Sequence, residues 1–292
     1  MKRVLVTGGS GFIGRFLCKE LLTNGYEVIV FDPHREKSEF LDVRKVEGDI
    51  LDASLLRNAA QGIDIIFHLA GVLGTDYLCG RVAEAIRVNI LGMVNVLEVA
   101  RDLRAKVINT GVVADWDSPY MITKKAAMRL GRMYRREYGV DVVTLEITHV
   151  YGPGQALDPY HKAIPTFIVR ALTETPLPVY GKGIKHMDCV YVTDIARAMR
   201  VAAETRGLDS VLTVTSNDPI RVVDLAKNII KLTRSRSQIE FLPMRPGEPD
   251  DTREEKFAPV KATLLPGWRP QVPFTEGLAK TIDWYRKLLT ET

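Results

Sequence analysis

The chain is predicted to be an α/β protein built on a doubly wound parallel sheet, and three observations carry that expectation. Short apolar runs alternate with stretches of helical period through the first half. A glycine-rich turn separates the first apolar run from the first helical stretch. After Tyr151 prolines become frequent, which marks a smaller mixed α/β lobe. Strands alternating with helices imply right-handed crossovers that cover both faces of a parallel sheet.

The elements run in order. Val4, Leu5 and Val6 form the first strand, and 12–24 is a helix stopped by Gly25. Apolar runs at 28–31, 43–46, 63–67, 107–108 and 140–145 supply further strands. Helical patterns occupy 52–60, 81–104 and 119–138. Gly152-Pro153-Gly154 then breaks the alternation. Val190-Tyr191-Val192, with a helix from Asp194, reads as a return to the sheet layer, and the chain ends in a helix near 275–289. The sheet domain is expected to hold 1–151 together with about 188–212. The smaller lobe is expected to hold 152–187 and 213–292, interleaved with the first and without a flexible linker.

The chain has 292 residues, 46% hydrophobic and 26% charged, which is enough for a real core in a soluble protein. Cys18, Cys79 and Cys189 are far apart, so neither a disulfide framework nor a metal site is expected. No apolar run approaches the roughly 18 residues of a membrane span. The N-terminal run is interrupted by Gly8-Gly9-Ser10-Gly11, unlike an export signal, and a cytoplasmic location is expected. The net charge of +4 is spread along the chain. That suits a small anionic ligand and lacks the clustered stripe of a nucleic-acid binder; 231–236 reads as a solvated helix end.

Gly8, Gly11 and Gly14 are spaced GxxGxxG between a strand and a helix. Glycines permit a tight turn and close approach of backbone to a pyrophosphate, and the helix start offers unpaired N–H groups at Phe12, Ile13 and Gly14. This context makes the sheet Rossmann-type and the ligand a dinucleotide. Asp32, ending the second strand, is placed to accept hydrogen bonds from a ribose diol and to repel a 2′-phosphate, which favours NAD over NADP. Arg35 works against that preference. Asp49, beside Ile50, either faces the adenine or serves as a turn or cap residue. Leu69, Ala70 and Gly71 close the fourth strand, where small residues admit the cofactor or simply form a packed turn.

Tyr120 and Lys124 are spaced i, i+4 and share one face of the 119–138 helix. A tyrosine with its ordinary pKa of about 10 is a poor base at neutral pH. A nearby ammonium and a positive nicotinamide ring favour the phenolate and are expected to lower that value. A tyrosine so tuned exchanges a proton with an alcohol or carbonyl while hydride moves to or from the nicotinamide. Thr110, at a strand's carboxyl end ahead of this helix, is placed to orient the substrate oxygen.

Together these residues resemble the extended short-chain dehydrogenase/reductases, specifically the NAD-dependent sugar epimerase/dehydratase family, in its UDP-glucose 4-epimerase-like branch. The resemblance covers nearly the whole chain. It includes His68-Leu69-Ala70-Gly71, Val88-Asn89-Ile90-Leu91-Gly92 and Val150-Tyr151-Gly152-Pro153-Gly154-Gln155. It continues through Pro178-Val179-Tyr180-Gly181, Val190-Tyr191-Val192-Thr193-Asp194, Arg245-Pro246-Gly247-Glu248 and Gly267-Trp268-Arg269-Pro270. It implies bound NAD, a nucleotide-sugar substrate with a UDP-sugar favoured, and 4-epimerisation by transient oxidation at C4. Tyr120 would be the acid/base, Lys124 its tuner and Thr110 their partner. Asn89 would join the cofactor site, and Arg245 would contact the nucleotide diphosphate. It also implies a homodimer packed through 81–104 and 119–138.

The departures from the family pattern are specific. Glu146 and His149 stand where members often carry Arg and Asn, and Met187 replaces a common Arg beside Asp188, with Lys185 and His186 next to it. His149 either donates to the sugar or phosphate or is a satisfied core histidine. Gly111 and Val112 occupy the positions of the dehydratase branch's acidic pair, which argues against 4,6-dehydration. The stretch between Thr110 and Tyr120 is short for an extended member. A second expectation therefore stands beside the epimerase: an NAD(P)H-dependent reductase or dehydrogenase of a ketosugar or other carbonyl compound. A non-enzymatic cofactor-binding protein is the third, and the intact Thr–Tyr–Lys set speaks against it.

Overall fold

The computed structural model describes residues 2–34, 43–114, 116–249 and 263–291. The first half of the chain lays down β1 (Arg3–Thr7), α1 (Phe12–Thr23), β2 (Glu27–Asp32), β3 (Arg44–Glu47), α2 (Ala53–Ala59) and β4 (Ile65–His68). A short α3 (Val82–Ala85), a π-helical turn (Ile86–Leu91) and α4 (Gly92–Leu103) come next, so the expected 81–104 helix is divided. They are succeeded by β5 (Lys106–Val112), α5 (Pro119–Tyr138), β6 (Val142–Ile147) and β7 (His149–Tyr151). The second half supplies α6 (Ala163–Leu172), β8 (Leu177–Tyr180), β9 (His186–Tyr191), α7 (Val192–Glu204), β10 (Val211–Val214) and β11 (Pro219–Arg221). It ends with α8 (Val222–Thr233), β12 (Ile239–Leu242) and α9 (Phe274–Glu291).

Seven strands pair in the order β10-β6-β5-β4-β1-β2-β3, every pair parallel. Successive strand residues point to opposite faces, so a sheet covered on both sides needs apolar residues at both. Val4, Val6, Phe67 and Ile108 accordingly bury against Leu17 and Leu21 of α1 and Met199 of α7. Leu5, Ile29, Ile66 and Val107 bury on the other side against Met93, Val96 and Leu97 of α4. Local signals bound the helices: Asp52 accepts the Leu55 N–H, Ser118 accepts the Met121 N–H with Pro119 in the first turn, and Gly139 at φ +67° ends α5.

One expectation is corrected here. Val190-Tyr191-Val192 does not return to the main sheet. β9 pairs with β7 in parallel and with β11 antiparallel, forming a separate three-stranded sheet. Only the next helix, α7, comes back, to pack on α1, and β10 supplies the seventh strand. The reason is that β9 is apolar on both faces in its new place: Met187, Cys189 and Tyr191 bury in the smaller lobe while Val190 joins the main core.

The smaller lobe packs α6, α8 and α9 around Phe167, Ile168, Leu225, Ile229, Leu278 and Ile282, with β8 and β12 paired in parallel at its edge. Tyr285 of α9 donates to the Gln155 carbonyl, and the Tyr151 hydroxyl donates to the Phe274 carbonyl at 3.1 Å. Two buried acids brace the junction. Asp194 accepts the Gln271 and Val272 N–H groups and pairs with Arg197. Asp188 accepts hydrogen bonds from Thr148, Thr215, Ser216 and Asn217. The three cysteines are free, Cys18 and Cys189 buried and Cys79 exposed. Among the described residues no helix is long and apolar enough to cross a membrane.

Candidate active site

The glycine turn is closed by its own backbone. Gly8, at φ +71°, donates its N–H to the Phe31 carbonyl at 3.0 Å, and the Gly11 N–H reaches the Gly8 carbonyl at 3.1 Å. A Cβ at Gly14 would stand 2.4 Å from the Gly8 oxygen, and one at Gly8 would stand 2.7 Å from the Ala70 nitrogen. Only glycine lets α1 start this close to the end of β4. α1 has no side-chain cap, so the N–H groups of Phe12, Ile13 and Gly14 open its positive end toward a ligand. The Ser10 hydroxyl, beside this turn, is buried with no hydrogen-bond partner among the described residues.

Asp32 ends β2 almost fully buried, with one carboxylate oxygen accepting the Ser10 N–H at 3.1 Å and the other the His34 N–H at 2.9 Å. Both bonds leave lone pairs for a ribose diol. Arg35 lies outside the described residues. Asp49 is exposed and accepts the Leu51 N–H at 2.9 Å, the geometry of a turn residue. Ile50 is buried, and a Cβ on Gly92 would come within 2.9 Å of its side chain. After β4, the Leu69 and Ala70 N–H groups reach the carbonyl and hydroxyl of Thr7, at 3.0 and 3.3 Å. Gly71 leaves room for Asn89, whose oxygen would be 3.0 Å from an added Cβ. The glycine cradle, the unpartnered Ser10 hydroxyl and the Asp32 carboxylate fit NAD.

Asn89 sits on the π-helical turn with its amide turned inward. It accepts the Val72 N–H at 2.9 Å and donates to the Val72 carbonyl and the Thr123 hydroxyl, both at 3.0 Å. The residue therefore ties the loop after β4 to the helix that carries Tyr120 and Lys124.

β5 and α5 bring Thr110 and Lys124 into contact, with Tyr120 on the same helix. Lys124 donates to the Thr110 hydroxyl at 3.4 Å. Tyr120 lies one turn before Lys124 on α5, and its hydroxyl has no hydrogen-bond partner among the described residues. Burial pushes Lys124 down to about 8. Burial, with Tyr160 adjacent, pushes Tyr120 up to about 12. Of the two charges expected to lower the phenol, the Lys124 ammonium is outweighed by burial. Desolvation raises an acid that ionises to an anion and lowers a base that holds a cation, and here it dominates both. Behind the trio, buried His68 shares a 2.9 Å hydrogen bond with Thr7, and burial together with the Lys124 charge pushes it down to about 3, so it stays neutral.

Two cations, Lys162 and Arg245, gather with the neutral His149 at the smaller lobe. His149, on β7, keeps an exposed edge, while desolvation of its remainder and then the Lys162 charge push it down to about 4. Lys162, at the start of α6, is lowered by burial and by Arg245. Arg245 pairs with Glu248, donates to the His161 carbonyl at 3.3 Å and lies 4.8 Å over the Tyr180 ring. Its Nε is buried without a partner among the described residues. Met187, where the family pattern often has arginine, is buried in the apolar core of the lobe. Sequence reasoning missed Lys162, because a single lysine carries no spacing; its one signal is its place at a helix start.

The chain has relatives among known enzymes. The sequence model of the NAD dependent epimerase/dehydratase family matches residues 4–211. A dTDP-glucose 4,6-dehydratase of Streptomyces niveus is 30% identical, covering 97% of this chain and 93% of its own. A UDP-N-acetyl-alpha-D-glucosaminuronate decarboxylase of Bacillus cytotoxicus is 29% identical over 98% of both chains. Among solved structures, a UDP-glucuronic acid 4-epimerase of Bacillus cereus, in complex with UDP-glucuronic acid and NAD, superposes with a TM-score of 0.87 at 26% identity, covering 98% of this chain and 99% of that one. With its glycine turn, Asp32 at the end of β2, and Thr110, Tyr120 and Lys124 on β5 and α5, the chain belongs to the NAD-dependent epimerase/dehydratase family.

Proposed function

We propose that this enzyme is an NAD-dependent nucleotide-sugar 4-epimerase, with a UDP-sugar as the favoured substrate. The supporting observation is the pairing of a Thr–Tyr–Lys set with apolar residues, not acids, at the two positions after Thr110. Lys124 contacts Thr110 and Tyr120 lies one turn away on α5, while Gly111 and Val112 come directly after Thr110 where a dehydratase carries its acids. NAD, when bound, supplies a hydride acceptor and donor. Tyr120 takes the proton of the 4-hydroxyl and later returns it. Thr110 orients the same oxygen. Lys124, charged below about pH 8, adds the positive field that favours phenolate and is placed to hold a ribose hydroxyl. Lys162, Arg245 and His149 receive the diphosphate. They stand in for the arginine that Met187 lacks, and Arg245 exchanges its pairing with Glu248 for phosphate.

Two further parts of this reading concern assembly and location. Val82, Ile86, Leu91 and Ile122 are large apolar residues exposed by 47%, 47%, 47% and 55% on adjoining helical segments, and they form the face of a homodimer. The enzyme works in the cytoplasm.

The test has two steps. The freshly purified protein is denatured and its released small molecules are identified by mass spectrometry, with NAD and a nucleotide-sugar expected. The NAD-loaded protein is then offered UDP-, GDP- and dTDP-sugars, and proton NMR monitors the sugar C4 position. Inversion without change in the nicotinamide absorbance supports epimerisation. Net absorbance change favours the reductase. Loss of water or carbon dioxide assigns dehydration or decarboxylation instead, and a chain that leaves every sugar unchanged refutes the proposal.

A further inference from the structure

The short connection between Thr110 and Tyr120 has an anchor that the reaction itself does not use. Glu146 faces Gly111 across β5 and Thr213 across β10. One of its carboxylate oxygens accepts the Thr213 hydroxyl at 3.2 Å, and the other lies 3.7 Å from the Lys125 ammonium. Lys125 also donates to the Val113 carbonyl at 3.4 Å. The side chains are only 26% and 17% exposed for Lys125 and Glu146, so the pair is held largely out of water. The three contacts join α5, β6 and β10 to the first residue after β5.

From Val113 the chain leads into the catalytic helix. Trp116 packs on Val112, Met121 and Met128 in the same small cluster as Tyr120, and its indole N–H is buried with no partner among the described residues. Ser118 donates its N–H to the Trp116 carbonyl at 3.0 Å and caps α5 through the Met121 N–H. Lys125 and Glu146 themselves line a surface cavity of about 390 Å³ whose walls include none of Thr110, Tyr120 and Lys124.

We propose that Lys125 and Glu146 are positioning residues that fix Val113, Ala114 and residues 116–118 as one wall of the substrate site, with the Trp116 indole turned to the sugar. This rests on the nucleotide-sugar reading for the identity of the ligand. The charges explain the substitution at position 146. An arginine there would face Lys125 with a like charge and leave the Val113 anchor without its partner. A carboxylate turns that contact into a three-way clamp.

The test is amide hydrogen exchange on the whole chain, with steady-state kinetics on the same preparations. Lys125→Met and Glu146→Gln are expected to speed exchange within 113–118 by about tenfold, the effect of losing one charge-assisted contact, while exchange in the middle of α5 stays unchanged. KM for the nucleotide-sugar is expected to rise about tenfold, with kcat held within about twofold, because the loop sets binding and the trio sets chemistry. Lys125→Arg keeps the donor and is expected to restore both. Arg57→Ala, which breaks an exposed ion pair with Asp102 elsewhere, is the control for general loosening and is expected to move neither. Unchanged exchange in 113–118 overturns the clamp. Faster exchange with unchanged KM, or with kcat and KM lost together, overturns the positioning role. Exchange needs no substrate, so a wild-type chain inert toward nucleotide-sugars refutes the proposed reaction and leaves the clamp to be decided by exchange alone.

Discussion

Replacing Lys124 with methionine is expected to make the protein more stable and inactive. Burial lowers Lys124 from 10.5 to about 8, so at neutral pH the folded state holds a charge that its surroundings disfavour. A folded pKa below the unfolded one is a penalty present in full below the folded value. It is relieved as pH rises through the window between about 8 and 10.5. The shift of about 2.5 units corresponds to about 3 kcal/mol at pH ~7. Losing the 3.4 Å bond to Thr110 returns about 1 kcal/mol of that, leaving a net gain of about 2 kcal/mol. The assay is thermal unfolding of both proteins without added nucleotide, at pH ~7 and pH ~10. The variant should melt higher by several degrees near neutrality, and the gap should close at the higher pH, where the folded wild type has shed the proton and most of the penalty is gone. A variant that melts lower at neutral pH, or a gap independent of pH, refutes the reasoning.

The same geometry yields three further outcomes. Tyr120→Phe removes the hydroxyl assigned to take the 4-hydroxyl proton and should cost about 10² to 10⁴ in kcat without changing the NAD released on denaturation, measured by mass spectrometry. Gly14→Ala places a Cβ 2.4 Å from the Gly8 carbonyl, so α1 must move; NAD retention should fall at least about tenfold, read by the same nucleotide analysis. Asn89→Ala strips the Val72 N–H and carbonyl and the Thr123 hydroxyl of their shared partner, and urea unfolding should show a loss of about 3 kcal/mol, about 1 per buried bond.

Much of this architecture is legible in the sequence because it depends on residues that can sit in only one kind of place. The strand–glycine–helix start, Asp32 at a strand end and the i, i+4 pair on α5 are local patterns, and each lies where its spacing puts it. β9 misleads because an apolar run records burial on both faces but not which sheet does the burying; the pairing with β7 and β11 is a long-range choice. The division of 81–104 is invisible for a similar reason. A π-helical turn differs from an α-helix by one residue of register, and it is Asn89, aimed at Val72 and Thr123, that reveals its purpose. Lys162 and the Lys125–Glu146 contact stay hidden because each depends on chain segments far apart in sequence. The rise in the Tyr120 pKa is hidden too, because spacing reveals a neighbouring charge but not the desolvation that outweighs it.

The closing of the smaller lobe by α9 has a consequence for vectorial synthesis. Tyr151 and Gln155 leave the ribosome more than a hundred residues before Phe274 and Tyr285, the partners that hold them. The seventh strand of the sheet, β10, is also a late arrival. A nascent chain can thus assemble the glycine turn and Asp32 long before it has a roof over the sugar position. A chain interrupted before α9 would be a nucleotide-binding body with an exposed, unfinished apolar half, a species marked for aggregation or proteolysis and unable to act on a sugar.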